Sequence, residues 1–284
     1  MIERIIGKAA SLCDHEMTDV VGEAFAAVYK AGKAIRELYG KPHNVTFKGE
    51  IDLVTEADYK SEEILGKTLD GLFGASLMAE ESATDLSLRN GRFWIVDPLD
   101  GTTNFAHGFP FFAPSVALVN VKDGVYENIL GCVYVPILDE FFWAIKGCGS
   151  FLNLEPLRVS EEKSLSKALV ATGFPYDVHD HPEDVINAFR DIIVRAQGIR
   201  RAGAAAIDLA YVACGRFDAF WEKKLKPWDT AAGMLLVEEA GGLVTDFKGG
   251  AYNPFVPEIV ASNGKVHNDM VRILRGYSCQ PTNT

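Results

Sequence analysis

A chain of 284 residues, 48% of them hydrophobic, can bury a sizeable core in one large domain or in two closely packed halves. Its net charge of −11 disfavours a broad surface for nucleic acid or for an anionic membrane, because such surfaces need clustered lysine and arginine. The five cysteines are odd in number and form no CxxC pair, which favours reduced thiols in a cytoplasmic protein. No signal peptide is recognisable, and no run of about 18 apolar residues predicts a membrane-spanning helix.

The first part of the chain predicts two helices, then a strand that ends in acids. Apolar residues at helical spacing predict a long helix over 15–39, and Thr55-Glu-Ala-Asp58 has the form of a capping box that opens a second helix. The polar segment 41–52 between them is predicted as a hairpin. A short buried strand over 76–82 includes Glu80. Taken alone, an acid at that point indicates only a strand that leaves the core for solvent.

Residues 94–104 read Trp-Ile-Val-Asp-Pro-Leu-Asp-Gly-Thr-Thr-Asn and combine an apolar strand with polar chemistry. The strand leads into Asp97 and Asp100, and Gly101 and Thr102 follow at a predicted helix start. Free backbone N–H groups at a helix start favour a bound phosphate. The alternative is a plain β-turn at Pro-Leu-Asp-Gly.

Beyond Asn104 the chain changes in character twice. It first predicts an antiparallel meander, and from about Val159 it predicts alternating strands and helices. We therefore expect an α+β half over 1–157 and an α/β half over 158–284, packed as one unit. The predicted elements are strands at 115–121, 130–135, 140–145, 168–172, 217–221, 243–246 and 259–262, and helices at 182–197, 204–214, 228–240 and 266–274.

Four acids stand at the ends of predicted elements: Glu80, Asp97, Asp100 and Asp229. By itself Asp229 indicates only a helix N-cap. Together the four supply oxygen ligands without the histidines or thiolates that zinc prefers, which favours Mg²⁺. Two such ions can clamp a phosphate and generate hydroxide.

Four motifs in this order resemble the inositol monophosphatase family, in its bacterial form: Asp52-Leu-Val-Thr-Glu-Ala-Asp58, Glu80-Glu-Ser82, the stretch 97–104, and Trp228-Asp-Thr-Ala-Ala-Gly233. These proteins are Mg²⁺-dependent, lithium-sensitive phosphatases. The resemblance implies a layered αβαβα sandwich, the sugar phosphatase fold, and a homodimer.

The resemblance also implies a site for two to three Mg²⁺ ions. The first ion would be held by Glu80, Asp97 and the main-chain carbonyl of Leu99. The second would be held by Asp97, Asp100 and Asp229, and a weaker third would lie near Glu80.

Asp58, Glu80 and Thr102 are implied as the catalytic residues, with Thr102 and Asp58 orienting and deprotonating a metal-bound water. Phosphate oxygens would meet the backbone N–H groups of Gly101 and Thr102, and Glu222 would accept hydrogen bonds from a polyol. The implied substrate contacts are Asp100, Gly101, Thr102, Thr103, Gly203, Ala205 and Glu222.

The predicted function is Mg²⁺-dependent hydrolysis of inositol 1-phosphate or a related polyol phosphate by metal-activated water. Thr172-Gly-Phe-Pro-Tyr176 differs from the loop of animal members, so fructose 1,6-bisphosphate, histidinol phosphate, NADP and 3′-phosphoadenosine nucleotides stay alternative substrates. An alternative of another class is a regulatory protein that binds the transcription machinery. The acidic balance disfavours direct binding of nucleic acid.

Overall fold

The computed structural model describes residues 1–41, 45–47, 53–83, 89–180 and 182–278. Three helices form its first layer: α1 (Ile2–Ala10), α2 (His15–Leu38) and α3 (Glu56–Leu69). Helix α1 was not predicted, although Ile2, Ile5, Ile6 and Ala9 recur at helical spacing. Strands β1 (Val45–Phe47) and β2 (Leu53–Thr55) pair antiparallel, so the second strand follows the range 41–52 that was predicted as a hairpin, and residues 42–44 and 48–52 of that range lie outside the described part of the chain.

Seven of the described strands form the first sheet, in the order of the chain. The first two strands pair in parallel and all later neighbours pair antiparallel. The predicted meander is therefore confirmed. The strands are β3 (Ser76–Ala79), β4 (Gly91–Asp100), β5 (Ala113–Lys122), β6 (Val125–Val135), β7 (Glu140–Ile145), β8 (Gly149–Leu152) and β9 (Glu155–Pro156).

Five of the described strands form the second sheet: β10 (Leu169–Thr172), β11 (Gly198–Arg200), β12 (Ala219–Lys223), β13 (Leu243–Thr245) and β14 (Glu258–Ser262). Their spatial order is β11-β10-β12-β14-β13, with β10 parallel to β11 and β12 and the other pairs antiparallel. The remaining helices are α4 (Thr102–Ala106), α5 (Pro182–Ile193), α6 (Ala205–Ala213), α7 (Pro227–Glu239) and α8 (His267–Leu274).

Three clusters of buried apolar side chains define the layers. The first joins α1, α2 and α3 to one face of the first sheet, and the second places α6 and α7 between the two sheets. The third joins α5 and α8 to the outer face of the second sheet. The layers are therefore αβαβα, as predicted. The division at about Arg158 stays a prediction, because the cluster between the sheets draws side chains from both halves.

Helices α6 and α7 are the central layer, and their sequences explain why. Both are apolar almost all round, so they have no polar face to turn to solvent. The predicted helix over 182–197 ends early, at Ile193, because the chain turns into β11, a strand that was not predicted. None of the helices in the described part of the chain is long and apolar enough to span a membrane.

Candidate active site

Parallel pairing of β3 and β4 brings the first two acids together. Ala79 pairs with Val96, and the backbone N–H of Glu80 donates to the Val96 carbonyl over 3.1 Å. The next residue of each strand is therefore an acid, Glu80 beside Asp97. The predicted strand over 76–82 ends at Ala79, so Glu80 follows it directly.

A β-bulge turns Asp97 and Asp100 toward the same side of the sheet. Asp97 pairs with Ser115 and Asp100 with Ala113, so β4 has one residue more than β5 between these pairs. Residues three apart on a regular strand face opposite sides, and one extra residue reverses that. The bulge also accommodates Pro98, which has no N–H for the ladder. The strand continues to Asp100, so Pro-Leu-Asp-Gly is not the plain β-turn of the alternative interpretation.

Two helix starts hold the other carboxylates of the group. The N–H of Ala206, at the start of α6, donates to Oδ2 of Asp100 over 2.7 Å. Asp229 lies three residues after the N-cap Lys226 of α7, and its Oδ2 accepts from the Lys226 N–H over 2.7 Å. Asp229 is thus the third residue of the helix, where its carboxylate caps the N–H of Lys226, and it is not the N-cap itself. In both places the positive end of a helix faces an acid.

The four acids repel one another, and two of them, Asp97 and Asp100, are buried. Burial raises the pKa of Asp97 well above its ordinary value, and the charges of Glu80, Asp100 and Asp229 raise it further. Burial likewise raises the pKa of Asp100 to about 7. Such a group is stabilised by a cation, and oxygen-only donors suit Mg²⁺.

Side chains alone do not complete a metal site here. Within the described ranges, no group of three acidic, histidine or cysteine side chains is arranged to hold an ion. Of the ligand sets that the sequence predicts for Mg²⁺, the first includes the main-chain carbonyl of Leu99, whereas the second consists of the side chains of Asp97, Asp100 and Asp229, which are not arranged around an ion here. Mg²⁺ usually keeps water molecules and binds substrate phosphate, so a few carboxylates suffice.

Asp58 and Thr102 meet next to the acids. The Thr102 hydroxyl lies 2.8 Å from Oδ1 of Asp58 and 3.0 Å from the Leu99 carbonyl. The other carboxylate oxygen, Oδ2, accepts from the N–H of Thr55 over 2.8 Å and from its hydroxyl over 2.6 Å. The predicted capping box is confirmed, and it fixes the orientation of Asp58 toward Thr102.

Gly101 starts the short helix α4 in a conformation that favours glycine. Its φ is +90°, and a Cβ there would lie 2.8 Å from the Phe111 carbonyl. Helix α4 has only five residues, so the backbone N–H groups of Gly101 and Thr102 bring less dipole potential to a phosphate than the predicted helix start suggests. The Asn104 amide donates to the carbonyls of Phe111, Ala202 and Gly203 over 2.7, 2.9 and 3.2 Å and so ties α4 to the turn before α6.

A single cleft of about 710 Å³ joins these groups to the second half of the chain. Asp58 lies behind the wall of the cleft and reaches it through Thr102. All the other residues predicted for the site line the cleft: Glu80, Asp97, Leu99, Asp100, Gly101, Thr102, Thr103, Gly203, Ala205, Glu222 and Asp229.

Glu222 lies on β12 and lines the same cleft as the acids of β4. It is buried, and its carboxylate accepts no hydrogen bond from the described residues. Burial raises its pKa well above the ordinary value, Asp229 raises it further, and Arg201 opposes both. The Arg201 guanidinium lies 5.5 Å from the centre of the Phe174 ring. The second half thus supplies an acceptor for hydroxyl groups beside a cation.

Three residues of the site were not predicted as functional: Thr55, Asn104 and Gly173. Thr55 was recognised as a helix cap, but its effect on Asp58 depends on the contact with Thr102 across 44 residues. Asn104 belongs to the motif 97–104, and only the fold shows which carbonyls it binds. Gly173 lies against Glu222, for which the sequence carries no signal.

The fold and the acidic cleft define a hydrolase of phosphoric monoesters. Residues 16–277 match the inositol monophosphatase family. The inositol-1-monophosphatase of Rhizobium meliloti is 41% identical over 88% of this chain and 93% of its own length. The Nus factor SuhB of Pseudomonas aeruginosa is 45% identical over 82% of this chain and 87% of its own length.

The same fold is found in the solved structure of the inositol monophosphatase from Anabaena (Nostoc). It is 36% identical to this chain, with a TM-score of 0.78, and the match covers 89% of this chain and 94% of that one. The chain belongs to the inositol monophosphatase family.

Proposed function

We propose that the protein hydrolyses inositol 1-phosphate, or a related polyol phosphate, in a Mg²⁺-dependent reaction. The observation that carries this proposal is the hydrogen bond between Thr102 and the buried Asp58 at the edge of the acidic group. A hydroxyl paired with a fixed carboxylate can accept and pass on a proton from a nucleophilic water.

Two to three Mg²⁺ ions would occupy the acidic group. Glu80, Asp97 and the Leu99 carbonyl would hold the first, Asp97, Asp100 and Asp229 the second, and a third would lie near Glu80. The repulsion of the buried Asp97 by Glu80, Asp100 and Asp229, which raises the pKa of Asp97, supports the assignment. When bound, the ions lower the pKa of water and neutralise charge on the phosphate.

The residues of the chain then have separate tasks. Asp58 accepts the Thr102 proton, which leaves the Thr102 oxygen free to accept one from water. Thr55 keeps Asp58 in place through two hydrogen bonds to Oδ2. The backbone N–H groups of Gly101 and Thr102 meet the phosphate oxygens.

The substrate side of the cleft favours a polyol. Glu222 offers carboxylate oxygens that accept no hydrogen bond from the described residues, and hydroxyl groups are their natural donors. Gly203 lies in the turn before α6 and Ala205 is the first residue of α6, and both line the cleft. Thr103 completes the contacts on the side of α4.

A substrate panel tests this proposal. Inositol 1-phosphate, fructose 1,6-bisphosphate, histidinol phosphate, NADP and 3′-phosphoadenosine 5′-phosphate are compared by kcat/KM with Mg²⁺ and with EDTA. We expect inositol 1-phosphate to be preferred, no turnover with EDTA, and inhibition by lithium. A much higher kcat/KM for another member of the panel would refute the substrate assignment, and full turnover with EDTA would refute the mechanism.

A second candidate function is favoured by one relative, which carries the name Nus factor SuhB. By analogy, this protein could act in the cytoplasm by binding the transcription machinery. Asp97→Asn separates the two functions, because it removes one charge at the centre of the acidic group. We expect phosphatase activity to collapse, whereas a binding role would survive. Size-exclusion chromatography of the same variant also tests the homodimer that we propose.

A further inference from the structure

Gly173 lies where the carboxylate of Glu222 needs room. It directly follows β10, and the parallel pairing of Thr172 with Trp221 places it beside Glu222. A Cβ on Gly173 would come within 2.1 Å of Oε2 and 2.2 Å of Oε1 of Glu222. These separations are far below any van der Waals contact, so an alanine here and this carboxylate position exclude each other.

The backbone gives no other reason for glycine at this position. The φ of Gly173 lies outside the left-handed region, so an alanine would meet no conformational strain there. The three atoms nearest to the added Cβ all belong to the Glu222 carboxyl group, at 2.1 to 2.3 Å. Glycine at position 173 therefore leaves the space that the Glu222 carboxylate occupies.

The two strands cannot part to relieve the contact. The Thr172 hydroxyl donates to the Trp221 carbonyl over 2.8 Å, and both residues are buried. Strand β12 pairs with β10 up to Trp221, the residue before Glu222, and on its other side it pairs with β14 through Glu222 to Lys223. The Glu222 side chain must therefore swing toward the cleft.

We propose that Gly173 determines substrate specificity by positioning Glu222. This inference rests on the proposed function, in which Glu222 accepts hydrogen bonds from substrate hydroxyl groups. Gly173 lines the cleft but has no side chain with which to bind a substrate, and it acts through Glu222, so it is a positioning residue. Any side chain there moves the hydroxyl acceptor while leaving the Asp58–Thr102 pair and the four acids unchanged.

The experiment compares Gly173→Ala with the wild-type protein on two substrates, inositol 1-phosphate and p-nitrophenyl phosphate, which has no hydroxyl group for Glu222. We expect kcat/KM to fall about tenfold or more for inositol 1-phosphate, as for the loss of a hydrogen bond to a charged group. For p-nitrophenyl phosphate we expect a change of less than about twofold, since the reacting groups are intact.

Gly198→Ala is the matched control. Gly198 lies on β11 in the same sheet, and a Cβ there would meet its nearest neighbours at 3.6 Å, an ordinary contact. Both substrates should be hydrolysed by this variant as by the wild type. A substrate-selective loss in Gly198→Ala as well would overturn the inference, because any added methyl group in the sheet would then suffice.

Gly173→Ala/Glu222→Asp tests the link between the two residues. The shorter side chain withdraws the carboxylate from the new methyl group, so part of the preference for inositol 1-phosphate should return. If Gly173→Ala does not fold, recovery of the folded state in the double variant supports the same steric link. Failure of the double variant to recover either folding or preference overturns it.

The two proposals fail in distinguishable ways. A wild-type protein without activity on inositol 1-phosphate contradicts the proposed function. A wild-type protein with that activity and a Gly173→Ala variant with an unchanged ratio of the two kcat/KM values contradicts the inference alone. An equal loss on both substrates contradicts it too, since the reacting groups would then be affected.

Discussion

The Asp58 side chain both caps helix α3 and contacts the Thr102 hydroxyl. Its Oδ2 accepts two hydrogen bonds from Thr55, as a capping-box acid does, and its Oδ1 faces Thr102. Burial raises the pKa of Asp58, whereas the hydrogen bonds from Thr55 and Thr102 lower it. The carboxylate is thus held in one orientation, and burial outweighs the hydrogen bonds, so its pKa is raised, which suits a group that accepts a proton.

The role of the Thr102 hydroxyl can be tested by a substitution that removes it. Thr102→Val keeps the shape of the side chain but cannot pass a proton to Asp58, so kcat should fall about a hundredfold or more. KM should change little, because the backbone N–H of residue 102 is retained. Steady-state kinetics with saturating Mg²⁺ provide the measurement.

Thr102→Ser is the control for this change, since it keeps the hydroxyl that lies 2.8 Å from Asp58. It should retain most of the activity. Equal rates in the valine and serine variants would show that the hydroxyl does not take part.

At the scale of elements, the cap of α3 carries both stability and orientation. Thr55→Ala removes the hydroxyl that accepts from the Ala57 N–H and donates to Asp58. We expect a loss of about 1 kcal/mol in the free energy of unfolding, as for other N-caps. Activity should fall as well, because Asp58 loses one of the two donors to its Oδ2. Urea unfolding and kinetics measure the two effects.

Thr55→Ser distinguishes the losses of stability and activity from a general defect at residue 55, because serine keeps the hydroxyl that caps α3. A Thr55→Ala protein of reduced stability but full activity would mean that the backbone N–H of Thr55 alone is enough to orient Asp58.

Individual elements also show what the sequence could and could not predict. Helix α2, the capping box of α3 and the meander follow from local periodicity and end signals, and these predictions are confirmed. The position of Glu80 beside Asp97 depends on parallel pairing of β3 with β4, which is not a local property. Similarly, the bulge between Asp97 and Asp100 is a matter of register with β5.

The site residues could be predicted because they belong to motifs that are visible in the sequence. The distances between them in the folded protein could not be derived from the sequence. Asp229 comes more than a hundred residues after Asp100, and only the packing of α7 between the sheets brings it near. Gly173, in contrast, is a residue of the site that the sequence did not predict as functional. Its sequence context, Thr-Gly-Phe-Pro, indicates a loop, whereas its contact with Glu222 arises from the pairing of β10 with β12.

At the scale of the whole molecule, the cleft concentrates negative charge that the fold alone does not balance. The N-terminal ends of α6 and α7 face Asp100 and Asp229, but burial still raises the pKa of Asp97 and Asp100. The burial that accompanies the packing of the two sheets therefore disfavours the ionised forms of Asp97 and Asp100. A cation that enters the cleft favours both the ionised carboxylates and the folded state.

This coupling predicts how stability depends on pH. The pKa of Asp100 rises from 3.8 in a model compound to about 7 in the folded protein. Between these values the folded state retains a proton that the unfolded chain releases, so the free energy of unfolding falls as pH rises. Mg²⁺ binds the ionised form and offsets this loss. Its stabilising effect should therefore be larger at about pH 8 than at about pH 5.

Thermal unfolding with Mg²⁺ or EDTA at these two pH values measures the effect. With EDTA, Tm should decline as pH rises, and the increase in Tm on adding Mg²⁺ should be several degrees greater at the higher pH. Asp100→Asn should show a flatter dependence in EDTA and a smaller response to Mg²⁺, because residue 100 then has no proton to lose. An equal Mg²⁺ response at both pH values in the wild-type protein would mean that the buried carboxylates do not bind the ion.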